Sequence, residues 1–340
     1  MRALLSVCLL TWVVCAQEMP VYRQRPVPDG VIRVLGNSHM DKLMEIWEEG
    51  FRTHQPGVRF ENTYLGTANA IAGLYLKTAD LALMGREVMP MEDIAYRRVF
   101  PNSPFEIAVA TASFNVPLET FAFAIFVNRR NPISQLTLQQ ADAIFGVDRK
   151  RGAPAAVATW GDLGLTGEWA TRPVHLHGYE IGSGLDYFFE QRVLGGSHKW
   201  NPGFHEYANE YGGERKLLAN AGDLIVKAIA VDEGAIGFCG FGHAMDQVKA
   251  LALSEAGGRY VPLTRENVLN RSYPLTRTVY IDVNSVPANP LVQEFLRYVL
   301  SAEGQKGVKR QGVYLPLPAG FARAELTRLE RATATERQEQ

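Results

Sequence analysis

The alternation of strands and helices between residues 31 and 84 decides the fold. This stretch reads VIRVLGNSHMDKLMEIWEEGFRTHQPGVRFENTYLGTANAIAGLYLKTADLALM. Residues 31–35, 58–62 and 80–84 are rich in apolar and β-branched side chains over the length of a strand. A helix is predicted over 66–77, and another between the first two strands, where apolar or small residues recur at helical spacing: Leu43, Ile46, Trp47, Gly50 and Phe51. Strand–helix–strand–helix–strand with short links is typical of a parallel α/β sheet.

A second unit of this kind begins near residue 121. Strands are predicted at 121–127, 174–177, 235–238 and 275–283, and helices at 223–231, at 291–300 and along the apolar face formed by Leu185, Phe188, Phe189 and Val193. We therefore predict an α/β fold of two lobes, each a mainly parallel sheet flanked by helices, with a ligand cleft between them. The first lobe is expected to combine residues 28–117 with 276–340. The second is expected to comprise residues 118–275, with strands crossing between the lobes.

The first residues predict an exported protein. Arg2 is followed by an uncharged, apolar run that suits the hydrophobic region of a secretory signal peptide and is too short to span a bilayer. We expect residues 1–16 to be a signal peptide cleaved after Ala16, and residues 17–27 to be a linker. In the alternative of a lipoprotein, Cys15 is the acylated residue. Both predict a periplasmic or otherwise extracytoplasmic location.

Composition excludes several classes of function. The formal net charge is −1 over 340 residues, without a long basic or acidic run, so nothing favours nucleic acid or a membrane surface as partner. Cleavage of the leader leaves Cys239 without a disulfide partner, and its apolar neighbours predict an inert core thiol. The common hydrolase, zinc-protease and nucleotide-loop motifs are missing, and His175 and His177 lack a third metal ligand at a suitable spacing. We expect a binding protein rather than an enzyme, with neither metal nor cofactor.

Three glycine-containing turns precede predicted helices, at residues 36–40, 66–69 and 182–184. A helix N-terminus presents unpaired N–H groups and a partial positive charge, which together favour a bound anion. Each turn also holds one hydroxyl donor: Ser38, Thr67 and Ser183. Any helix cap in an α/β protein looks similar, but three such turns in two lobes predict that one small anion contacts both.

Arg86 directly follows the predicted strand 80–84. Ligands of open α/β sheets lie beyond the carboxyl ends of the strands, and a guanidinium there can hold an oxyanion through two parallel hydrogen bonds. The alternative is a surface arginine paired with Glu87 or another nearby carboxylate. The sequence leaves both open.

An ordered set of short motifs carries a resemblance to a known family. They are Gly36-Asn37-Ser38-His39, Gly66-Thr67-Ala68, Ala79-Asp80-Leu81 with Gly85-Arg86, Asn131-Pro132 with Leu136-Thr137, Gln139-Gln140 and Ile144-Phe145, Ala235-Ile236-Gly237-Phe238, Tyr273-Pro274-Leu275-Thr276-Arg277, and Gly312-Val313-Tyr314-Leu315-Pro316. With these motifs, residues 31–318 resemble the phosphate-binding subunits of bacterial ABC transporters, within the type II periplasmic binding proteins.

The chain departs from the family's pattern at the anion site. The family's Arg-x-x-Gly-Ser-Gly-Thr motif corresponds to residues 179–185, where Tyr179 replaces the arginine and Leu185 replaces the threonine. In the first turn, His39 stands in place of threonine. Loss of a charged hydrogen bond costs about 1.5–3 kcal/mol, which lowers affinity by about one to two orders of magnitude. Protonated His39 offers a positive charge at mildly acidic pH.

The resemblance implies a monomeric receptor that captures a small inorganic anion, phosphate first of all, for a membrane ABC permease. We expect eight residues to contact the ligand: Ser38, Thr67, Arg86 and Ser183, with His39, Tyr179 and the N–H groups of Met40 and Gly184. Discrimination of phosphate from sulfate needs a hydrogen-bond acceptor, since only phosphate still carries a proton. Asp41 and Glu180 are candidates, although Asp41 is also explained as a helix-end residue and Glu180 as a solvent-facing one. Other open functions are a receptor or sensor for molybdate, sulfate or a carboxylate, and a hydrolase on the same fold.

Overall fold

The structure, a computed structural model, describes residues 18–116, 119–213, 216–284 and 289–339. The predicted signal peptide and Cys15 lie outside these residues. The strands are β1 (Gly30–Gly36), β2 (Val58–Thr63), β3 (Leu81–Met84), β4 (Phe105–Thr111), β5 (Phe123–Asn128), β6 (Gln135–Thr137), β7 (His175–Tyr179), β8 (Phe204–Tyr207), β9 (Glu210–Tyr211), β10 (Leu217–Ala219), β11 (Ala235–Gly240), β12 (Val248–Ala250), β13 (Ala252–Ser254) and β14 (Thr278–Val283). The helices are α1 (Asp41–His54), α2 (Ala70–Tyr75), α3 (Pro90–Arg97), α4 (Leu138–Phe145), α5 (Gly184–Arg192), α6 (Ala221–Val231), α7 (Arg265–Leu269), α8 (Pro290–Val299), α9 (Ala302–Gln311) and α10 (Ala319–Glu339).

Most described strands belong to two five-stranded sheets. The first has the order β2-β1-β3-β14-β4, with β1 parallel to β2 and β3, and β14 antiparallel to both of its neighbours. The second has the order β12-β5-β11-β7-β8, with β7 parallel to β11 and β8, and β5 antiparallel to β11 and β12. Both sheets are thus mixed because the strand that follows each crossing of the chain, β5 or β14, runs against the others.

Helices cover both sheets, and we call each sheet with its helices a lobe. The amphipathic pattern of residues 41–54 forms α1, which buries Leu43, Trp47 and Phe51 completely in the first lobe. Burial of one large apolar side chain contributes about 1.5–3 kcal/mol. The core of the second lobe is richer in aromatic rings, and the ring centroids of Phe189 and Phe238 lie 3.7 Å apart.

Within the described residues, the chain passes between the lobes twice, at residues 112–116 with 119–122 and at residues 275–277. Backbone hydrogen bonds join the two passages, from Ala112 N–H to the Arg277 carbonyl at 3.1 Å and from Phe123 N–H to the Leu275 carbonyl at 3.3 Å. The predicted α/β fold of two lobes is confirmed. The boundaries 28–117, 276–340 and 118–275 stay a prediction.

The sequence analysis did not predict α3, β4 or α10. The last of these lies along β4, the edge strand of the first sheet. Glu325 accepts a hydrogen bond from Ala108 N–H at 3.0 Å, and Arg328 donates to the carbonyl of Glu106. These side chains pair with backbone groups that a neighbouring strand would otherwise use, so α10 protects the edge. Within the described ranges, every helix is too short or too polar to cross a membrane.

Cys239 lies in β11 and is completely buried. Burial raises the pKa of its thiol well above the ordinary value, so the thiolate that would react is disfavoured. The predicted core thiol is confirmed.

Candidate functional site

A cavity of about 530 Å³ lies between the two lobes. The first lobe lines it with residues that follow β1, β2 and β3, and the second lobe with residues that follow β7, β8 and β11. These are the ends of strands at which open α/β sheets bind ligands. The cavity therefore has two walls, one from each lobe.

Gly85, directly after β3, is the centre of the first wall. Its N–H donates to Thr67 Oγ1 at 3.4 Å, and its carbonyl accepts from Thr120 Oγ1 at 3.1 Å. A Cβ at this position would lie 2.5 Å from Asn37 Nδ2, so glycine is required for these side chains to converge. Asn37 is held in turn because its Oδ1 accepts from His39 N–H at 3.0 Å. The first wall thus offers amide and hydroxyl donors around one backbone position.

Arg277, just before β14, adds a positive charge to this wall. Only 4% of the residue is exposed, and its Nη2 donates to the Gly85 carbonyl at 2.9 Å. Burial lowers the pKa of the guanidinium, which nevertheless stays charged. Among the described residues it has no salt-bridge partner, and its Nε has no hydrogen-bond acceptor. Its Cζ lies 5.3–5.7 Å from three ring centroids, those of Phe123, Phe188 and Phe121.

Arg86 also lines the cavity, but its charge is already paired. Its two Nη atoms each donate to one carboxylate oxygen of Glu92 at 2.7 Å, and Nη1 also donates to the Glu87 carbonyl at 2.9 Å. The carboxylate partner foreseen as an alternative is therefore present, and it is Glu92. The side chain of Arg86 also contacts the second lobe, since a Cβ at Gly184 would lie 2.3 Å from Arg86 Cδ.

His39 and Glu119 form an ionisable pair at the cavity. His39 Nδ1 lies 3.6 Å from Glu119 Oε1, and the Tyr314 hydroxyl donates to Glu119 Oε2 at 2.8 Å. The interaction with Glu119 raises the pKa of His39 above its ordinary value, against the opposing effect of burial. The pair gives the first wall a carboxylate acceptor and a histidine that stays charged to higher pH.

The second wall brings neither arginine nor lysine to the cavity within the described part of the chain. Tyr179 is 4% exposed, and its hydroxyl accepts from Gly240 N–H at 3.2 Å. Burial raises the pKa of Tyr179 well above its ordinary value, so the hydroxyl keeps its proton and offers one donor. Half-buried Leu185 adds apolar surface where the related family has threonine.

The turn at residues 182–184 already binds a carboxylate of the chain itself. Ser183 Oγ accepts from Asp186 N–H at 3.2 Å and donates to Asp186 Oδ1 at 3.2 Å, while Gly182 N–H donates to Asp186 Oδ2 at 3.0 Å. Burial raises the pKa of Asp186 to about 6. Donors that the sequence analysis assigned to a ligand are thus engaged in capping α5.

Six of the eight predicted ligand contacts line the cavity: Ser38, His39, Thr67, Arg86, Tyr179 and Gly184. The other two do not. Met40 is completely buried and its N–H donates within the first turn, and Ser183 caps α5. Of the two acceptor candidates, Asp41 accepts from the next N–H in α1 and Glu180 is exposed. A ligand-binding role for the eight residues stays a prediction.

The sequence analysis missed Arg277 and Glu119 as cavity residues. Arg277 closes the motif 273–277, but its charge reaches the cavity only because β14 inserts next to β3. Glu119 lies on the first passage between the lobes and belongs to none of the motifs identified. Asp186 was visible as the fourth residue of Ser-x-x-Asp, the spacing of a helix-capping box.

Comparisons with known proteins agree with this architecture. Residues 23–303 match the family model described as a PBP superfamily domain. The phosphate-binding protein PstS of Pseudomonas aeruginosa is 35% identical over 309 residues, covering 89% of this chain and 88% of the relative. An ABC-type phosphate transport receptor from Vibrio cholerae, at 20% identity, has a TM-score of 0.51 with 84% of this chain and 99% of that one covered. PstS from Borrelia burgdorferi, at 14% identity, has a TM-score of 0.53 with 84% and 98% covered. The two structures support the fold.

Proposed function

Since the chain belongs to the PBP superfamily, we propose that it is an extracytoplasmic receptor that binds inorganic phosphate between its two lobes and delivers it to an ABC permease. The relative at 35% identity, which is named for binding phosphate, supports the choice of ligand. The ordered motifs from residue 36 to residue 316 support the transporter as partner. The proposed receptor is a monomer without catalytic residues.

The observation that carries this proposal is the unpaired guanidinium of Arg277. A buried charge without a partner costs several kcal/mol, and an anion in the cavity offsets that cost. The Thr67 hydroxyl, which only accepts from the Gly85 N–H, and the Asn37 amide lie on the same wall and supply further donors for an oxyanion. In the proposed site, Arg277 supplies the charge that Tyr179 cannot supply.

Glu119 is the proposed acceptor that separates phosphate from sulfate. Protonated phosphate donates a hydrogen bond to a carboxylate, whereas sulfate has no proton and is repelled. Glu119 faces the cavity, and both of its oxygens interact with residues of the first lobe, His39 and Tyr314. It takes the role that the sequence analysis offered to Asp41 and Glu180.

Closure of the lobes is the proposed signal to the permease. A ligand that touches both walls shifts the equilibrium towards the closed form by its higher affinity for that form. Arg86 supports this idea because its side chain already lies against Gly184 of the opposite lobe. The lobes would meet along this contact.

The test is calorimetric titration of ligand-stripped protein with phosphate and then sulfate. We expect phosphate to bind at least 100-fold more tightly than sulfate. Glu119→Gln should weaken phosphate about tenfold and strengthen sulfate, because a neutral amide removes both the acceptor and the repulsion. Glu45→Gln, at an exposed carboxylate paired with Lys42 on α1, is the matched control and should change neither affinity. Absence of heat with both anions would overturn the proposed ligand.

A further inference from the structure

We propose that the cavity holds a second subsite, which accepts the organic part of a phosphate monoester bearing hydroxyl groups. This inference rests on the proposed function, since the phosphoryl group of the ester would occupy the same first wall as inorganic phosphate. The subsite lies on the second wall and is formed by Leu185, Leu217, Asn209, Asn220 and His243. A phosphate ester of a short polyol is the ligand class that fits it.

The first argument is volume. A tetrahedral oxyanion has five heavy atoms and fills on the order of 100–150 Å³, if each atom takes about the share of one water molecule. The cavity encloses about 530 Å³, within the range of roughly 300–1,000 Å³ typical of sites for organic ligands. In this arrangement of the lobes, most of the space remains beside an ion held at Gly85.

The second argument is the unequal chemistry of the two walls. The charge of Arg277 and the donors around Gly85 belong to the first lobe, whereas Leu185 and Leu217 give the second wall apolar surface. An inorganic ion in contact with that surface would lose hydration without gaining hydrogen bonds. A monoester has one phosphoryl end and one carbon-bearing end, so its two parts match the two walls.

The third argument is the set of neutral polar groups beyond the leucines. Asn209 Oδ1 and Asn220 Oδ1 each accept from an N–H in the first turn of α6 at 2.9 Å. Their oxygens are therefore engaged, and the NH₂ groups remain as donors; that of Asn209 makes only a long 3.4 Å bond to the Tyr211 hydroxyl.

His243 also belongs to this part of the lining. Its Nδ1 lies 2.8 Å from Asp223 Oδ1, and its ring packs against Gly222, where a Cβ would lie 2.5 Å from Nε2. The two amide donors suit hydroxyl groups, while a charged substituent would lack an opposite charge here because Asp223 is already engaged with His243. The polar end of the subsite thus favours a polyol over an amine or a carboxylate.

The experiment compares three probes by calorimetry on the same stripped protein: inorganic phosphate, glycerol 3-phosphate and propyl phosphate. We expect glycerol 3-phosphate to bind within tenfold of phosphate, and propyl phosphate to bind about tenfold more weakly than glycerol 3-phosphate because it lacks the hydroxyl groups. If phosphate binds but glycerol 3-phosphate binds at least 100-fold more weakly, the subsite does not exist. If no probe binds, the proposed function itself fails.

Two variants localise the organic part. Asn220→Ser keeps a side chain that caps α6 and removes the NH₂ donor, so it should weaken glycerol 3-phosphate about tenfold more than phosphate. Leu217→Ser, on a half-exposed hairpin position where folding is not at risk, should weaken both esters about threefold relative to phosphate. Equal effects on esters and phosphate in both variants would overturn the proposal.

Discussion

The turns at residues 36–40 and 182–186 share a strand–glycine–helix design and differ in what their donors bind. In the first turn, the neutral amide of Asn37 accepts the local N–H, and Ser38 and His39 line the cavity. In the second turn, the Asp186 carboxylate occupies the N–H of Gly182 and the hydroxyl of Ser183. In the first turn, Asn37 caps the N–H of His39 and leaves the Ser38 hydroxyl at the cavity, whereas the second turn already binds an internal carboxylate.

This contrast teaches that a glycine turn before a helix does not by itself define an anion site. The donors are a property of the helix N-terminus, but the side chain of the third residue after the cap decides whether they are engaged. The same division holds for the two walls. The first carries unpaired Arg277, whereas the second carries neutral groups and an internal acid.

Removal of the Arg277 charge from the first wall should have the largest effect on phosphate affinity. We expect Arg277→Met to weaken phosphate about 100-fold, because a charged hydrogen bond contributes about 1.5–3 kcal/mol. The free energy of unfolding without ligand should stay the same or rise, since an unpaired buried cation opposes folding. Calorimetry measures the first quantity and urea denaturation the second.

Arg310→Met is the control for this variant. Arg310 is exposed and paired with Glu49, so its loss should change the free energy of unfolding by less than about 0.5 kcal/mol and leave affinity intact. If Arg277→Met binds phosphate within twofold of the unmodified protein, the charge of Arg277 is not what distinguishes the first wall from the second.

Removal of the Asp186 charge from the second turn should have the next largest effect on phosphate affinity. Asp186→Asn removes a negative charge close to the bound ion, so phosphate affinity at pH 8 should rise about 5- to 10-fold. At pH 5 the gain should vanish, because the raised pKa of about 6 leaves Asp186 mostly protonated there. Titration at the two pH values measures the difference.

Asp162→Asn separates this effect from a loss of capping. Asp162 accepts N–H bonds from Ala158 and Thr159 at the start of a short helix and does not line the cavity. An asparagine keeps an acceptor oxygen in each cap, so both variants should retain most of the capping, and only Asp186→Asn should gain affinity. Equal affinities at pH 8 for Asp186→Asn and the unmodified protein would show that the second turn does not oppose the ligand.

The smallest effect on phosphate affinity is expected from a substitution of His39 in the first turn. Its pKa is raised by Glu119, so the stability it contributes is complete below about pH 6.5 and is lost as pH rises through the folded-state pKa. Nearly half of the side chain is exposed, which limits the contribution to a few tenths of a kcal/mol. His39→Gln should reduce this pH-dependent loss of stability. It should also make the decline of phosphate affinity between pH 6 and 8 two- to threefold smaller.

His175→Gln provides the comparison, since His175 is similarly exposed, pairs with Asp232 and lies outside the cavity lining. Melting curves and titrations from pH 5.5 to 8.5 should separate the two histidines. A pH profile of affinity that is identical in both variants would exclude His39 from the site.

The fold was predictable where local pattern determines structure. Residues 31–35, 58–62 and 80–84 form β1 to β3, and the helical spacing of residues 43–51 lies within α1. The 21-residue helix α10 was missed because its abundant Arg and Glu give a weak apolar stripe, and its position depends on the edge of β4.

The site was predictable only in part, for a related reason. Ser38, Thr67 and Arg86 follow strands of one continuous unit, so their convergence could be inferred from sequence. Arg277 and Glu119 reach the cavity through the two passages between the lobes, and their proximity depends on tertiary pairing that leaves no local pattern.

The position of β14 between β3 and β4 determines when the first sheet can be completed during synthesis of the chain. Both neighbours are synthesised long before residue 278, so the first sheet has an unfilled slot until about four fifths of the chain has been synthesised. Pairing across such a sequence separation is slow, and unfilled edges invite wrong partners. The first sheet of this protein is therefore completed late, by a strand that arrives after the whole second lobe has been synthesised.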